Sequence, residues 1–284
     1  MSLLIMRSGA LGDTILTFQA ARALMAYGET VAVWGRGAWA GLARRFGIDY
    51  LAEEAADFDL FYHGENAPEA RRALARFDRV FAFKHDPDGS LGAALERIHP
   101  RLKLIPPLPP RGYGGSYPAY LLERMDAPPP ATFPPLAAPK ARDGVVAVAP
   151  GSGSEKKNWP VEQYAGLLRR LRGNAEVVLG PAEEDEPRRA EFMALGAIEG
   201  VTLLRGAAIE TVADKLARAA RYVGGDSGVT HLAAALGVPV LALWGQSNPA
   251  VWGPLGANAR ILPAPGGDLA RLEVETVARE LEMW

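Results

Sequence analysis

Short, continuous apolar runs at residues 3–6, 30–34, 79–83, 145–149, 176–179, 201–204 and 240–244 are separated by longer stretches in which apolar side chains recur every three or four positions. Runs of four or five residues without polar alternation suit strands buried on both faces, as in a parallel sheet, and the stretches between them suit helices. Helices are predicted at residues 14–27, where Ile15, Leu16, Ala20, Ala23 and Leu24 form one stripe, and at 38–46, 68–77, 161–171 and 209–219, with an acidic helix start at 182–186. Alternating strands and helices imply an α/β protein built from βαβ units. The clearest unit begins at Val223: a strand end, two glycines, Asp226 and Ser227 at a helix start, an alanine-rich helix, and a returning strand at Val240.

Two stretches break the alternation. Residues 127–140 are dense in proline, which excludes a helix and favours a stiff extended segment, so the domain boundary is placed there, between domains 1–135 and 141–284. The second domain restarts the pattern of the first: strand, glycine-bearing loop, helix. Residues 100–116, with Pro106-Pro-Leu-Pro-Pro110 and Gly112-Tyr-Gly-Gly115, read as a loop. An amphipathic helix at 269–283 closes the chain, with the option of packing back on the first domain.

Composition narrows the function classes. A chain of 284 residues can bury two cores. With 49% apolar and 23% charged residues and a net charge of −2, it reads as a soluble globular protein with no bias toward nucleic acid. It has no cysteine, so disulfide and thiol chemistry are excluded. No apolar run is long enough for a signal peptide or a membrane span, so the expected location is cytoplasmic, with a peripheral position at the inner membrane as an option.

Glycine loops at the carboxyl ends of parallel strands are where α/β sheets bind ligands. Three loops qualify. After the first strand comes Arg7-Ser-Gly-Ala-Leu-Gly-Asp13, with Gly9 and Gly12 in the loop and Asp13 at the helix start, where it is either an N-cap or a functional carboxylate. After the strand at 145–149 comes Pro150-Gly-Ser-Gly-Ser-Glu-Lys-Lys-Asn-Trp-Pro160. In the third, Asp226 or Ser227 caps a helix and Gly228 admits close approach, so free N–H groups there favour an anion, and His231 lies one turn further on. The segment Gly35-Arg-Gly-Ala-Trp-Ala-Gly41 is read as a turn, because it follows the second strand and its third glycine is one residue late for a dinucleotide fingerprint. Asp57-Phe-Asp59 and Asp86-Pro-Asp88 have the spacing of a divalent-metal pair but are read as surface turns. His63, His85 and His99 lack zinc-ligand spacing, so no metal site and no cofactor are expected.

Together, Ser8-Gly-Ala-Leu-Gly-Asp13, the 150–160 loop and Gly225-Asp-Ser-Gly-Val-Thr-His-Leu-Ala-Ala-Ala-Leu-Gly-Val-Pro239 with Trp244-Gly245 resemble the heptosyltransferases of glycosyltransferase family 9. The resemblance implies the GT-B fold, two Rossmann-like domains facing across a cleft, the first binding the acceptor and the second the nucleotide sugar. It also implies metal-independent, inverting transfer from a nucleotide sugar, ADP-heptose favoured, to a lipopolysaccharide-core or other glycan acceptor, with domain closure part of the mechanism. By position, Asp13 matches the catalytic base, Lys157 the diphosphate-binding lysine, and Asp226, Ser227, Gly228 and His231 the donor-binding motif. Ser152 and Gly153 stand where relatives often carry two hydroxyl residues, which leaves one phosphate contact to Ser154 or backbone. Glu184, or else Glu183, is a candidate for the donor ribose, against the plainer reading of an exposed helix start. Lys84, His85, Arg36 and Arg111 are open candidates for an anionic acceptor. A non-catalytic nucleotide-sugar binder and an epimerase or hydrolase on the same scaffold are the competing readings.

Overall fold

The computed structural model describes residues 1–53, 68–138, 140–171, 173–185 and 188–283. The chain divides into two compact units, Met1–Leu136 and Ala137–Trp284. All strand pairings among the described residues are parallel.

In the first unit, strands β1 (Ser2–Met6), β2 (Thr30–Gly35), β3 (Asp49–Ala52), β4 (Arg79–Phe83) and β5 (Leu102–Ile105) form a sheet in the order β3-β2-β1-β4-β5. The apolar runs of β1, β2 and β4 are buried because each is flanked by strands on both sides and covered by helices. Leu4, Met6, Ala32, Trp34, Val80 and Ala82 form one buried cluster on the sheet. The helix Leu11–Ala26 is buried over most of its length. It ends at Gly28, whose φ of +88° is left-handed backbone that terminates a helix without steric cost.

The second unit holds β6 (Val146–Ala149), β7 (Ala175–Leu179), β8 (Val201–Arg205), β9 (Arg221–Gly224), β10 (Val240–Trp244) and β11 (Ala259–Pro263), ordered β11-β10-β9-β6-β7-β8. Read by position, this is the doubly wound nucleotide-binding order. The closing helix is Val274–Glu282, preceded by a short 3-10 turn Leu269–Arg271. Its Val277, Ala278 and Leu281 share a buried cluster with Trp159, Tyr164, Leu167 and Leu168, so its apolar face is used within its own unit. Trp159 Nε1 donates to Leu272 O at 2.8 Å and Gln163 Nε2 to Ala270 O at 2.8 Å, which fix that packing.

In both sheets the chain order reverses once, between β1 and β4 in the first and between β6 and β9 in the second. Connections leave such a point in opposite directions, so the carboxyl ends of these strand pairs open a crevice for a ligand.

Several elements differ from the sequence expectation. The region 100–116 contains the edge strand β5, with Leu102 and Ile105 buried, Lys103 exposed and Pro106 following directly. The strands β3 and β11 and the helices Ser90–Glu96 and Tyr117–Arg124 are also additional. The predicted helix at 38–46 is a 3-10 turn Gly37–Trp39 followed by Ala40–Arg45, and the one at 68–77 is Pro68–Leu74. The first helix begins at Leu11, so Gly12 lies within its first turn. Asp57, Asp59 and His63 lie outside the described residues.

Candidate functional site

In the first unit, the chain leaves β1 at the switch point and turns through Arg7, Ser8, Gly9 and Ala10 into the helix. Asp13 is the third helical residue and not the N-cap, which is Ala10; its Oδ2 accepts from Ala10 N at 3.1 Å, satisfying an otherwise free amide of the helix start. Its Oδ1 accepts from Arg7 Nη2 at 3.2 Å. A Cβ on Gly9 would stand 2.6 Å from Asp13 Cβ, so only glycine leaves room for this carboxylate. Arg7 also donates through Nη1 to Ser8 O at 2.7 Å and through Nε to Tyr117 Oη at 2.8 Å. Tyr117 is fully buried, and burial pushes its phenol up to about 12, so it stays neutral and donates to Pro107 O at 2.9 Å. Asp13 keeps a 28% exposed side chain against 12% for Arg7, leaving the carboxylate the more accessible of the two.

In the second unit, the loops after β6 and β9 meet at the other switch point. Lys157 Nζ lies 2.8 Å from Asp226 Oδ2. Asp226 is buried, and the same Oδ2 accepts from Ser247 Oγ at 2.7 Å, in the loop after β10. The loops touch through backbone as well: a Cβ on Gly225 would stand 2.6 Å from Lys157 O. Ser227 caps the helix Gly228–Ala235, its Oγ 3.4 Å from Thr230 N. Thr230 is buried and ties the turn together, donating to Gly225 O at 2.6 Å while its Oγ1 lies 2.8 Å from Tyr222 Oη. His231 is buried beside this turn. Ser152 Oγ lies 2.7 Å from Asn158 Oδ1 and 2.8 Å from Ser154 O, bracing the loop from within. A Cβ on Gly153 would meet nothing within 4 Å, so its backbone is open to a ligand. Lys157, a helix start and an open glycine backbone are the kinds of group that can hold an anion.

Glycosyltransferase family 9 (heptosyltransferase) matches residues 122–280, more than half the chain and all of this second cradle. The chain belongs to glycosyltransferase family 9. Lipopolysaccharide heptosyltransferase 1 of Escherichia coli O18:K1:H7 is 32% identical over 129 residues, which are 45% of this chain and 39% of that protein. The sequence match thus spans about two fifths of the curated relative's length. The E. coli heptosyltransferase WaaC structure with ADP superposes with a TM-score of 0.73 at 19% identity, covering 100% of this chain and 99% of that one. The structure of E. coli ADP-heptose lps heptosyltransferase II gives 0.76 at 19% identity, covering 100% and 98%. The fold is GT-B.

Within this family 9 chain the structure brings Ser152, Lys157, Asp226, Ser227, Gly228 and His231 to one sheet edge and places Gly9 and Asp13 together on the edge of the other sheet. Glu184 is drawn elsewhere: Arg205 donates to it through Nε at 3.2 Å and Nη2 at 2.9 Å and holds its carboxyl below the usual glutamate range. Glu183 instead turns inward, its carboxylate against Gly151 and its Oε2 accepting from Gly180 N at 2.7 Å. Asp86 and Asp88 are turn residues: Asp86 accepts from Leu91 N and Gly92 N, and Asp88 from Ser90, at the start of the helix Ser90–Glu96. His99 is buried, bridging Phe77 O and Arg101 N. Arg7, Asn158, Thr230 and Ser247 were not singled out from sequence. For Ser247 the signal is its place just after a buried strand's carboxyl end, whereas Arg7 lies in the first glycine-bearing loop but carries no spacing of its own. A cavity of about 710 Å³ lined by Arg169, Ala194, Glu199 and Gly200 lies by the amino ends of β7 and β8, away from these loops.

Burial raises the Glu183 carboxyl above the ordinary glutamate value of 4.5, outweighing the Gly180 amide that lowers it. The folded chain therefore holds this proton more tightly than the unfolded chain does. Its contribution to stability is full below the unfolded value and is lost as pH rises through the folded one. Glu183→Gln keeps the bond from Gly180 N and cannot ionise. Chemical denaturation from pH 4 upward is expected to show the wild type losing stability relative to Glu183→Gln as pH rises; parallel curves would reject the shift.

Proposed function

We propose that this chain is an inverting, metal-independent glycosyltransferase that moves a heptose from ADP-heptose to a lipopolysaccharide-core or related glycan acceptor. The observation that carries the reading is the Lys157–Asp226 pair, which joins the loops after β6 and β9 at the switch point of a doubly wound sheet. A relative named lipopolysaccharide heptosyltransferase 1 and a structure of heptosyltransferase WaaC with ADP support the choice of donor and acceptor class.

In this reading Asp13 accepts the proton of the acceptor hydroxyl as that oxygen attacks the anomeric carbon. The bond from that carbon to the diphosphate oxygen breaks on the opposite face, which inverts the configuration, and ADP leaves. Charge gathers on the leaving diphosphate, and Lys157, the Ser152 loop and the free N–H groups at Ser227 and Gly228 are the donors that stabilise it. Lys157 and the helix start supply the positive charge that a metal supplies in other transferases. His231 and Asp226 border the same edge and suit the sugar. The first unit is the acceptor domain and the second the donor domain. No helix among the described residues is long and apolar enough to cross a membrane. The proposed place of work is the cytoplasmic face of the inner membrane, where a lipopolysaccharide-core acceptor would be met.

A thermal-shift screen tests the donor class. ADP is expected to raise Tm, by an amount that grows with its concentration above Kd, while UDP, GDP and NAD leave it unchanged. A shift with NAD alone would overturn the reading. ADP binding without release of ADP from ADP-heptose, with or without acceptor, would favour a non-catalytic binder.

A further inference from the structure

We propose that Arg7 is the positioning residue for Asp13, with Tyr117 as the buried anchor that sets the direction of its guanidinium. This rests on Asp13 being the base, as proposed above. A carboxylate that takes a proton in the transition state must present one oxygen to a hydroxyl within hydrogen-bond reach, and displacement by about 1 Å can cost on the order of 100-fold. Asp13 is held at both oxygens, Oδ2 by Ala10 N at 3.1 Å and Oδ1 by Arg7 Nη2 at 3.2 Å, so the carboxylate plane is fixed.

Arg7 is in turn oriented from two other directions, by Ser8 O at 2.7 Å and by Tyr117 Oη at 2.8 Å. A planar fork with three directed contacts has little freedom, which a lysine in its place would retain. The anchor is rigid: Tyr117 is 0% exposed, stacks on Tyr120 with ring centroids 6.2 Å apart, and donates to Pro107 O. Because its phenol accepts from Arg7 Nε while donating to Pro107 O, the direction of the whole chain of bonds is set. Gly9 completes the arrangement, since a side chain there would collide with the Asp13 carboxylate. The helix Tyr117–Arg124 and the Pro106–Pro107 segment thereby act on Asp13 through Arg7.

The test is a double-mutant cycle read with ADP-heptose as donor and lipopolysaccharide lacking heptose as acceptor. Arg7→Met is expected to lower kcat about 10- to 100-fold, with KM for ADP-heptose and Kd for ADP unchanged, because the lost contact serves positioning. Tyr117→Phe and Arg7→Lys should lower kcat by less, in the same pattern. On an Asp13→Asn background, Arg7→Met should have no further effect, because a residue acting only through Asp13 has nothing left to position. Arg7→Met at wild-type kcat, or a full additional loss on the Asp13→Asn background, would overturn the proposal while leaving the base assignment intact. Asp13→Asn at wild-type kcat would overturn the base assignment and this proposal with it. Should Arg7→Met not fold, Tyr117→Phe and Arg7→Lys read out the same cycle, with ADP binding as the check on folding.

Discussion

Asp13→Asn is expected to lower sugar transfer by about 100- to 10,000-fold, the range over which a general base contributes, while leaving ADP binding at the wild-type level. Asparagine is isosteric, but its single oxygen can accept from either Ala10 N or Arg7 Nη2 and not both; with the oxygen toward Ala10 N the helix start keeps its bond, and the amide NH2 then faces Arg7. What is lost is the ability to take a proton. The measurement is kcat from ADP release in the presence of acceptor, beside ADP affinity by calorimetry. Retained turnover would remove Asp13 from the mechanism. Lost ADP binding would show that the substitution had disturbed more than the base.

Lys157→Ala is the second large effect, and it falls on binding. A hydrogen bond to a charged group contributes about 1.5–3 kcal/mol when its partner is otherwise left uncompensated, so ADP affinity should fall by about 10- to 100-fold. The loss should shrink as salt rises, because the Lys157 side chain is 45% exposed and its field is screened. A second consequence follows from the ion pair. Without Lys157, the buried Asp226 keeps the Ser247 hydroxyl but loses its cation, so Tm should also drop. Adding Asp226→Asn should restore much of that Tm without restoring ADP affinity. Recovery of both would mean that Lys157 serves the fold and not the ligand.

Legibility in the sequence followed burial. The runs of β1, β2, β4, β6, β7, β9 and β10 are strands covered on both sides, and continuous apolar sequence signals that environment directly. The strands β3, β5, β8 and β11 sit at sheet edges, where one flank is open and polar residues are tolerated; Asp49, Lys103 and Arg260 interrupt the pattern in β3, β5 and β11, whereas β8 keeps Val201, Leu203 and Leu204 and was legible at an edge all the same. The site behaved in the same way. Glycine loops after buried strands could be found from punctuation alone, which marked the stretches Arg7 to Asp13, Pro150 to Pro160 and Gly225 to Gly228, whereas picking out Ser152, Gly153 and Lys157 within the second of them rested on the family resemblance. Which glutamate after Gly180 turns inward could not be found so, because Glu183 and Glu184 are neighbours of the same chemical type. Arg205, which engages Glu184, and Gly151, which makes space for Glu183, lie on other segments.

By itself the sequence determined the strand-and-helix alternation, the glycine-marked strand ends and the residue types able to handle an anion and a proton, since periodicity and local turn chemistry are properties of neighbours in the chain. The tertiary structure alone decided which residues meet: Lys157 with Asp226 and Ser247 across three loops, and Arg7 with Asp13 and Tyr117 across a separation of 110 residues. Strand order brings these side chains within bonding distance, and strand order is set by which apolar faces can be buried together over the whole sheet. No short stretch of sequence encodes that choice.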